Sequence, residues 1–317
     1  MAKGGLARRL FIGAVTLSTS APVLGWSEET HQTTGAIAWS DLAARNPTAL
    51  RELLQIAGSH QDYPLFLQYA GTLPEPVRQR ALFEWLARWP DDIRPGPESR
   101  PKWHYSLRVV HGRSWLWPVR NGEAKEGFAY NFATLANACA RPVDRARAMG
   151  WIIHIVGDMQ QPLHAGHQMT GSFPVTDRAG ELAFVRRFAD SEPVNLHQYW
   201  DKMFEQSRLK APGGDWAAAF ANAWPRSTIA GLDRHGSAVR QFGKQVEETR
   251  ILAELVAYSG TFAEARPAGE PAPLMQPAEN TFNAALAGRR VATAGYRIAD
   301  MLGMAVKQAD ASRASCP

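Results

Sequence analysis

Residues 142–164 read PVDRARAMGWIIHIVGDMQQPLH. Pro142 suits the first position of a helix, where a missing N–H is tolerated and φ is already set. Ala146, Met149, Ile152, Ile153 and Val156 then recur at helical spacing. Pro162 should disturb or end the regular part. His154 and Asp158 are four apart and share a face of that helix. A neutral imidazole and a carboxylate pointing the same way suit a borderline cation such as zinc. Beyond Pro162, His164 can return toward the same cavity from a different backbone angle.

Helical character extends outward on both sides. Asn46-Pro47 is an N-cap followed by proline, and Gly58 is a plausible stop. Residues 75–89, 126–139, 236–259 and 279–308 carry further helical patterns. Leu182 to Phe188 is the one strand-like stretch, half of a short hairpin. Residues 264–277, rich in Pro, Ala and Gly, read as an exposed loop. No repeat and no linker divides the chain. The expected architecture is therefore all-α, one compact multi-helix domain with at most a short β-hairpin.

The 317 residues are 45% hydrophobic and 21% charged, which excludes wholesale disorder and a multi-span membrane protein. Two cysteines, Cys139 and Cys316, with no CxxC, exclude thiolate zinc knuckles and iron–sulfur clusters. Residues 1–25 read as a signal peptide: Lys3, Arg8 and Arg9 precede an apolar run from Leu10 to Leu24 too short to span a membrane. Val23 and Gly25 suit the cleavage site, so the expected mature chain is 26–317, beginning at Trp26. Without those three cations the remaining Lys and Arg barely exceed the 30 Asp and Glu, so charge says little about nucleic-acid binding. Export makes a disulfide between the two cysteines chemically allowed, without requiring one.

The His/Asp spacing recurs in His197-Gln-Tyr-Trp-Asp201. One such pair is commonly a surface helix pair. Two, each among apolar or aromatic neighbours and one followed by a third His, point to a site. Three segments can add donors, and each has a structural reading of its own. His104, between Trp103 and Tyr105, is also what a hydrogen-bonded core histidine looks like. Asp91 and Asp92 follow Trp89-Pro90, and Asp92 also reads as a solvated neighbour of Arg94. His31 also suits the first turn of a helix.

In order, Trp26, His31, Trp89-Pro90-Asp91, Trp103-His104-Tyr105, His154 to His164 and Asn195-Leu-His197-Gln-Tyr-Trp200-Asp201 resemble the signature of the S1/P1 nuclease family. The resemblance spans roughly 26–201; beyond 205 only helical character matches. It implies a mostly helical fold of the phospholipase C/P1 nuclease type with three Zn2+. Asp91, His104, His154 and Asp158 would hold the first zinc, and His164, His197 and Asp201 the second. The third would take the α-amino group and carbonyl of Trp26, His31, and Asp158 as bridge; that amino group is free only after cleavage.

The activity implied is hydrolysis of single-stranded DNA or RNA by metal-bound hydroxide, giving 5′-phosphorylated products, with 3′-nucleotidase activity. The resemblance implies that Asp91 and Asp158 are the catalytic carboxylates, Asp91 also orienting the water. It also implies that Tyr105 stacks a base; its alternative reading is a core tyrosine. Arg94 or Arg108 could contact phosphate or simply be solvated. A monomer without a membrane span, periplasmic or secreted, is expected.

Two departures stand out. The family's D-x-G-G-N segment is here Asp177-Arg-Ala-Gly180-Glu181, and the acidic residue usual soon after Tyr105 is missing. They bear on substrate preference more than on the metal site. Two rivals remain. Zinc phospholipase C resembles this family, and Trp115 and Trp117 are spare aromatics for a choline cage. A non-enzymatic zinc-binding protein would instead be expected to use flexible His-rich tracts.

Overall fold

A computed structural model describes residues 26–112, 121–205, 215–232 and 235–316. The signal peptide expected over 1–25, and Trp115 and Trp117, lie outside the described residues. Ten α-helices are present among those described: α1 (Glu28–Arg45), α2 (Pro47–Ala57), α3 (Tyr63–Ala70), α4 (Val77–Asp92), α5 (Ala124–Leu135), α6 (Pro142–Asp158), α7 (Leu196–Asp201), α8 (Trp216–Ala223), α9 (Ala238–Leu252) and α10 (Pro277–Ser312). The all-α expectation holds, and no described helix is long and apolar enough to cross a membrane.

Local chemistry sets several boundaries. Asn46 Oδ1 accepts the Ala49 N–H at the start of α2, and Gly58 ends it. Asn195 caps α7 in the same way, accepting from Gln198 N at 2.8 Å. Glu279 and Gln276 form a reciprocal capping box on α10. Pro90 lies inside α4, so Asp91 sits in that helix's last turn rather than in a following loop.

From Ala148 to Asp158 α6 is buried on every side, the mark of a helix enclosed by others. Ile152, Ile153, Ile155 and Val156 are all fully buried. α1 runs between α4 and α10, and two glycines permit the close approach. A Cβ at Gly35 would lie 2.4 Å from the Phe83 carbonyl oxygen, and one at Gly295 2.5 Å from Ile37 Cβ. The carboxylate and imidazole side chains of α6 are thus carried into the middle of the molecule.

The hairpin is present: β3 (Phe184–Arg186) pairs antiparallel with β4 (Pro193–Asn195), Val185 facing Val194. A second pair was not expected. β1 (Arg108–His111) runs parallel to β2 (Gly166–Gln168). With the bonds Ser106 N–H to His164 O (2.9 Å) and Arg108 N–H to Ala165 O (3.2 Å), it laces the segment after His104 to the segment after His164. The 264–277 stretch is not simply exposed. Phe184 exchanges backbone hydrogen bonds with Arg266, Met275 donates to Arg186, and Ala265, Ala272 and Met275 are buried. The helix expected over 236–259 is α9 followed by one wider turn of π geometry, Ala253–Ala257. Cys139 and Cys316 form a disulfide that ties the α5–α6 turn to the chain beyond α10.

Candidate metal centre

Eight of the expected side chains converge in one buried cluster. α1 supplies His31, α4 Asp91, α6 His154 and Asp158, and α7 His197 and Asp201. His104 and His164 come from the two single-turn helices at Pro101–His104 and Pro162–His164. Asp158 is central. Its Oδ2 lies 3.0 Å from both His104 Nδ1 and His154 Nε2, and its Oδ1 lies 3.3 Å from His31 Nε2 and 3.7 Å from His164 Nδ1. Asp91 stands at the rim, 3.7 Å from His104 and His154 and 3.8 Å from His31.

Three histidines are oriented from behind. His154 Nδ1 donates to Ala87 O at 2.7 Å, His164 Nδ1 to His104 O at 2.7 Å, and His197 Nδ1 to Ala179 O at 2.8 Å. Each bond fixes the tautomer and turns the Nε2 lone pair inward, the arrangement by which proteins preset metal-ligating imidazoles. The inward atoms His164 Nε2, His197 Nε2, His31 Nε2 and Asp158 Oδ1 lack hydrogen-bond partners. Buried polar atoms are rarely left so. His104 Nδ1 lies 2.8 Å from His154 Nε2 and 3.0 Å from Asp158 Oδ2, so three ligand-type atoms meet within hydrogen-bond distance. Three groups have all their ligand atoms within 4.8 Å of one another: His31 with Asp91 and His154, His104 with His154 and Asp158, and His164 with His197 and Asp201. An all-N/O donor set of this size fits divalent zinc in more than one position.

Trp26 sits against the cluster. Its wholly buried indole donates to Gly157 O at 3.0 Å, and the neighbouring Ser27 N–H donates to Asp201 O at 3.1 Å. Tyr105 is half-buried in the wall of an adjoining cavity, beside Glu181. Arg94 corrects an expectation. Its partner is Asp91, at 2.7 Å, whereas Asp92 pairs with Arg88 at 2.8 Å. Arg108 is exposed and lies 3.7 Å from Glu247. Gln161 was missed by the sequence reading. Its Nε2 donates to Asp201 Oδ1 at 2.8 Å while its Oε1 accepts the Leu163 N–H, so it orients Asp201 as the backbone carbonyls orient the histidines. The only signal for it was its place just before Pro162.

Without a cation, burial lowers His104 to about 4 and His197 to about 3. His60, edge-on to Trp85 and Trp89 and away from the cluster, is lowered by burial to about 4. Burial also works against charge on His154, but the Asp158 and Asp91 carboxylates outweigh it and raise His154 to about 8. Asp158 shows the converse: burial would raise it, yet His154 and His164 hold it well below the usual range. Asp201 is pushed well up by burial.

The metal-free protein should therefore lose stability as pH falls from 6.5 toward 4, because the unfolded chain binds protons that buried His60, His104 and His197 refuse. His154 acts oppositely. Its contribution is complete below 6.5 and is lost as pH rises through 8. Thermal melts of chelated protein should give a maximum near neutrality. A melting temperature that rises steadily on acidification would contradict this.

The S1/P1 Nuclease family model matches residues 26–307. Endonuclease 4 of Arabidopsis thaliana is 24% identical over 195 residues, 59% of this chain. The matched stretch spans 58% of that relative's length.

Proposed function

The chain belongs to the S1/P1 nuclease family, and from that premise we propose that it is a zinc-dependent phosphodiesterase. Its substrates are single-stranded DNA or RNA, cleaved to 5′-phosphorylated products, and 3′-nucleotides. The observation that carries the reading is the set of inward, unpartnered ligand atoms around Asp158. Asp91, His104, His154 and Asp158 would hold one zinc, His164, His197 and Asp201 a second, and Trp26, His31 and Asp158 a third. Zinc bound there supplies Lewis acidity toward the phosphoryl oxygens and makes water nucleophilic at neutral pH.

The chain's own groups divide the remaining work. Asp91 has the most exposed carboxylate of the cluster, 12% against 0% for Asp158, so it faces arriving substrate and can orient a water at its Oδ atoms. Arg94, bonded to the same carboxylate, holds it in place and offers positive charge at the rim. Tyr105 stacks an unpaired base, which favours single strands. Within 26–317 this is one catalytic domain. Residues 1–25 are on this reading a leader removed on export to the periplasm or beyond, which frees the Trp26 amino group for the third zinc.

The test uses protein beginning at Trp26 and heat-denatured DNA. Chelation should abolish digestion and zinc should restore it, with 5′-mononucleotides as products and duplex DNA cut far more slowly. A zinc-loaded, folded protein inert toward DNA, RNA and 3′-nucleotides would sink the proposal. Hydrolysis of phospholipid headgroups by that inert protein would point to phospholipase C-like chemistry instead.

A further inference from the structure

Glu181 and Tyr105 line one cavity of about 340 Å³ whose inner wall is made by His104, His164 and His197. That volume lies within the range of small-molecule sites, roughly 300–1,000 Å³. Glu181 is rigidly placed. The turn before it runs through Arg178 (φ 54°), Ala179 (φ 56°) and Gly180 (φ 87°), three consecutive left-handed residues. Gly180 is wedged: a Cβ there would lie 2.8 Å from Leu163 Cδ1 and Leu196 Cβ. Gly180 O accepts the Leu196 N–H at 3.0 Å, and the neighbouring Ala179 O is the acceptor that orients His197. One turn thus fixes both a candidate ligand and the Glu181 backbone.

An ionised carboxylate only accepts hydrogen bonds, and its two oxygens suit two parallel N–H donors. Unpaired bases expose their Watson–Crick edges to such readout. Guanine alone presents adjacent donors there, N1–H and N2–H. Adenine offers N6–H beside an acceptor, cytosine N4–H beside an acceptor, and uracil or thymine one N–H between two carbonyls. Facing a carboxylate, each of these three sets at least one lone pair against it or leaves one oxygen unpaired. Arg178 lines the same cavity and offsets part of the Glu181 charge without supplying an acceptor.

We propose that Glu181 selects guanine at the base bound against Tyr105, making the enzyme guanine-preferring. This rests on the nuclease reading of the adjoining cluster. The test measures kcat/KM on dinucleoside monophosphates, varying first one base and then the other. It also measures binding of guanosine, inosine and adenosine by calorimetry. The wild-type zinc enzyme should prefer guanine to adenine by about tenfold or more at one of the two positions. Inosine, which keeps N1–H and lacks the 2-amino group, should fall between. In Glu181→Gln the amide offers one acceptor and one donor, which guanine N1–H/O6 and adenine N6–H/N1 both match, so the guanine-to-adenine ratio should fall toward one.

A wild-type ratio near one, or a guanine preference undiminished in E181Q at matched zinc content, overturns the proposal and leaves the nuclease reading standing. If zinc-loaded enzyme cleaves none of the dinucleotides and is also inert toward DNA, RNA and 3′-nucleotides, the nuclease reading fails. The nucleoside titrations then decide the base: guanosine preference lost in E181Q supports the proposal, and equal binding of guanosine and adenosine overturns it.

Discussion

Asp158→Asn is expected to lower kcat/KM on single-stranded DNA by about 10³-fold or more, because several kcal/mol of transition-state stabilisation depends on the cations and each 1.36 kcal/mol is tenfold. Asp158 touches more of the cluster than any other side chain, standing 3.0 Å from His104 and His154 and 3.3 Å from His31. An amide keeps the shape but brings N–H groups toward a cation and removes the charge that offsets it. Zinc stoichiometry, read by atomic emission after dialysis, should fall together with activity. Circular dichroism should still report a helical protein, since α6 is held by its apolar neighbours and not by this carboxylate. Full zinc content with activity within tenfold of wild type would remove Asp158 from the centre of the site.

The double variant Cys139→Ser/Cys316→Ser should be less stable by about 2–5 kcal/mol, the usual cost of losing a native disulfide. The bond closes a loop of 177 residues in sequence, so its rupture frees a large part of the unfolded chain. For a protein of this size the melting temperature should fall by roughly 1.5 °C per kcal/mol. Reductant should reproduce the shift in the wild type and leave the variant unchanged. Both cysteines lie outside the cluster, so zinc content below the new melting point should stay at the wild-type value. A variant melting within a degree of the wild type would show that packing of α10 alone holds that end of the chain.

Much of this was legible from spacing. The i, i+4 pairs of α6 and α7 place His154 with Asp158 and His197 with Asp201, and the Asn46 cap marks where α2 begins. The parallel pair β1–β2 was not legible. It is three to four residues long, and its partners are brought together by α5 and α6 lying between them, so neither strand carries a periodic signal of its own. The bridges from β3 to the 264–277 stretch were hidden for the same reason, since Pro and Gly content reports turns and not what a turn is laid against. Around the cluster, ligand-type side chains could be named from the sequence. Their supports could not, because Ala87 O and Ala179 O are backbone atoms that any residue would supply. Arg94 was mispaired because adjacent Asp91 and Asp92 are indistinguishable until the helix through Pro90 turns one inward and one outward.

The position of α1 between α4 and α10 sets an order of events during synthesis. The helix carrying His31 is among the first described segments to be made, and α10, which closes over it through Gly295, is the last long one. Contacts so far apart in the chain form late and slowly. A ribosome working from the amino end therefore displays every histidine of the cluster before the scaffold that converges them exists. A chain cut before α10 would carry all the ligand-type side chains of α1 to α7 without the helix that packs over α1.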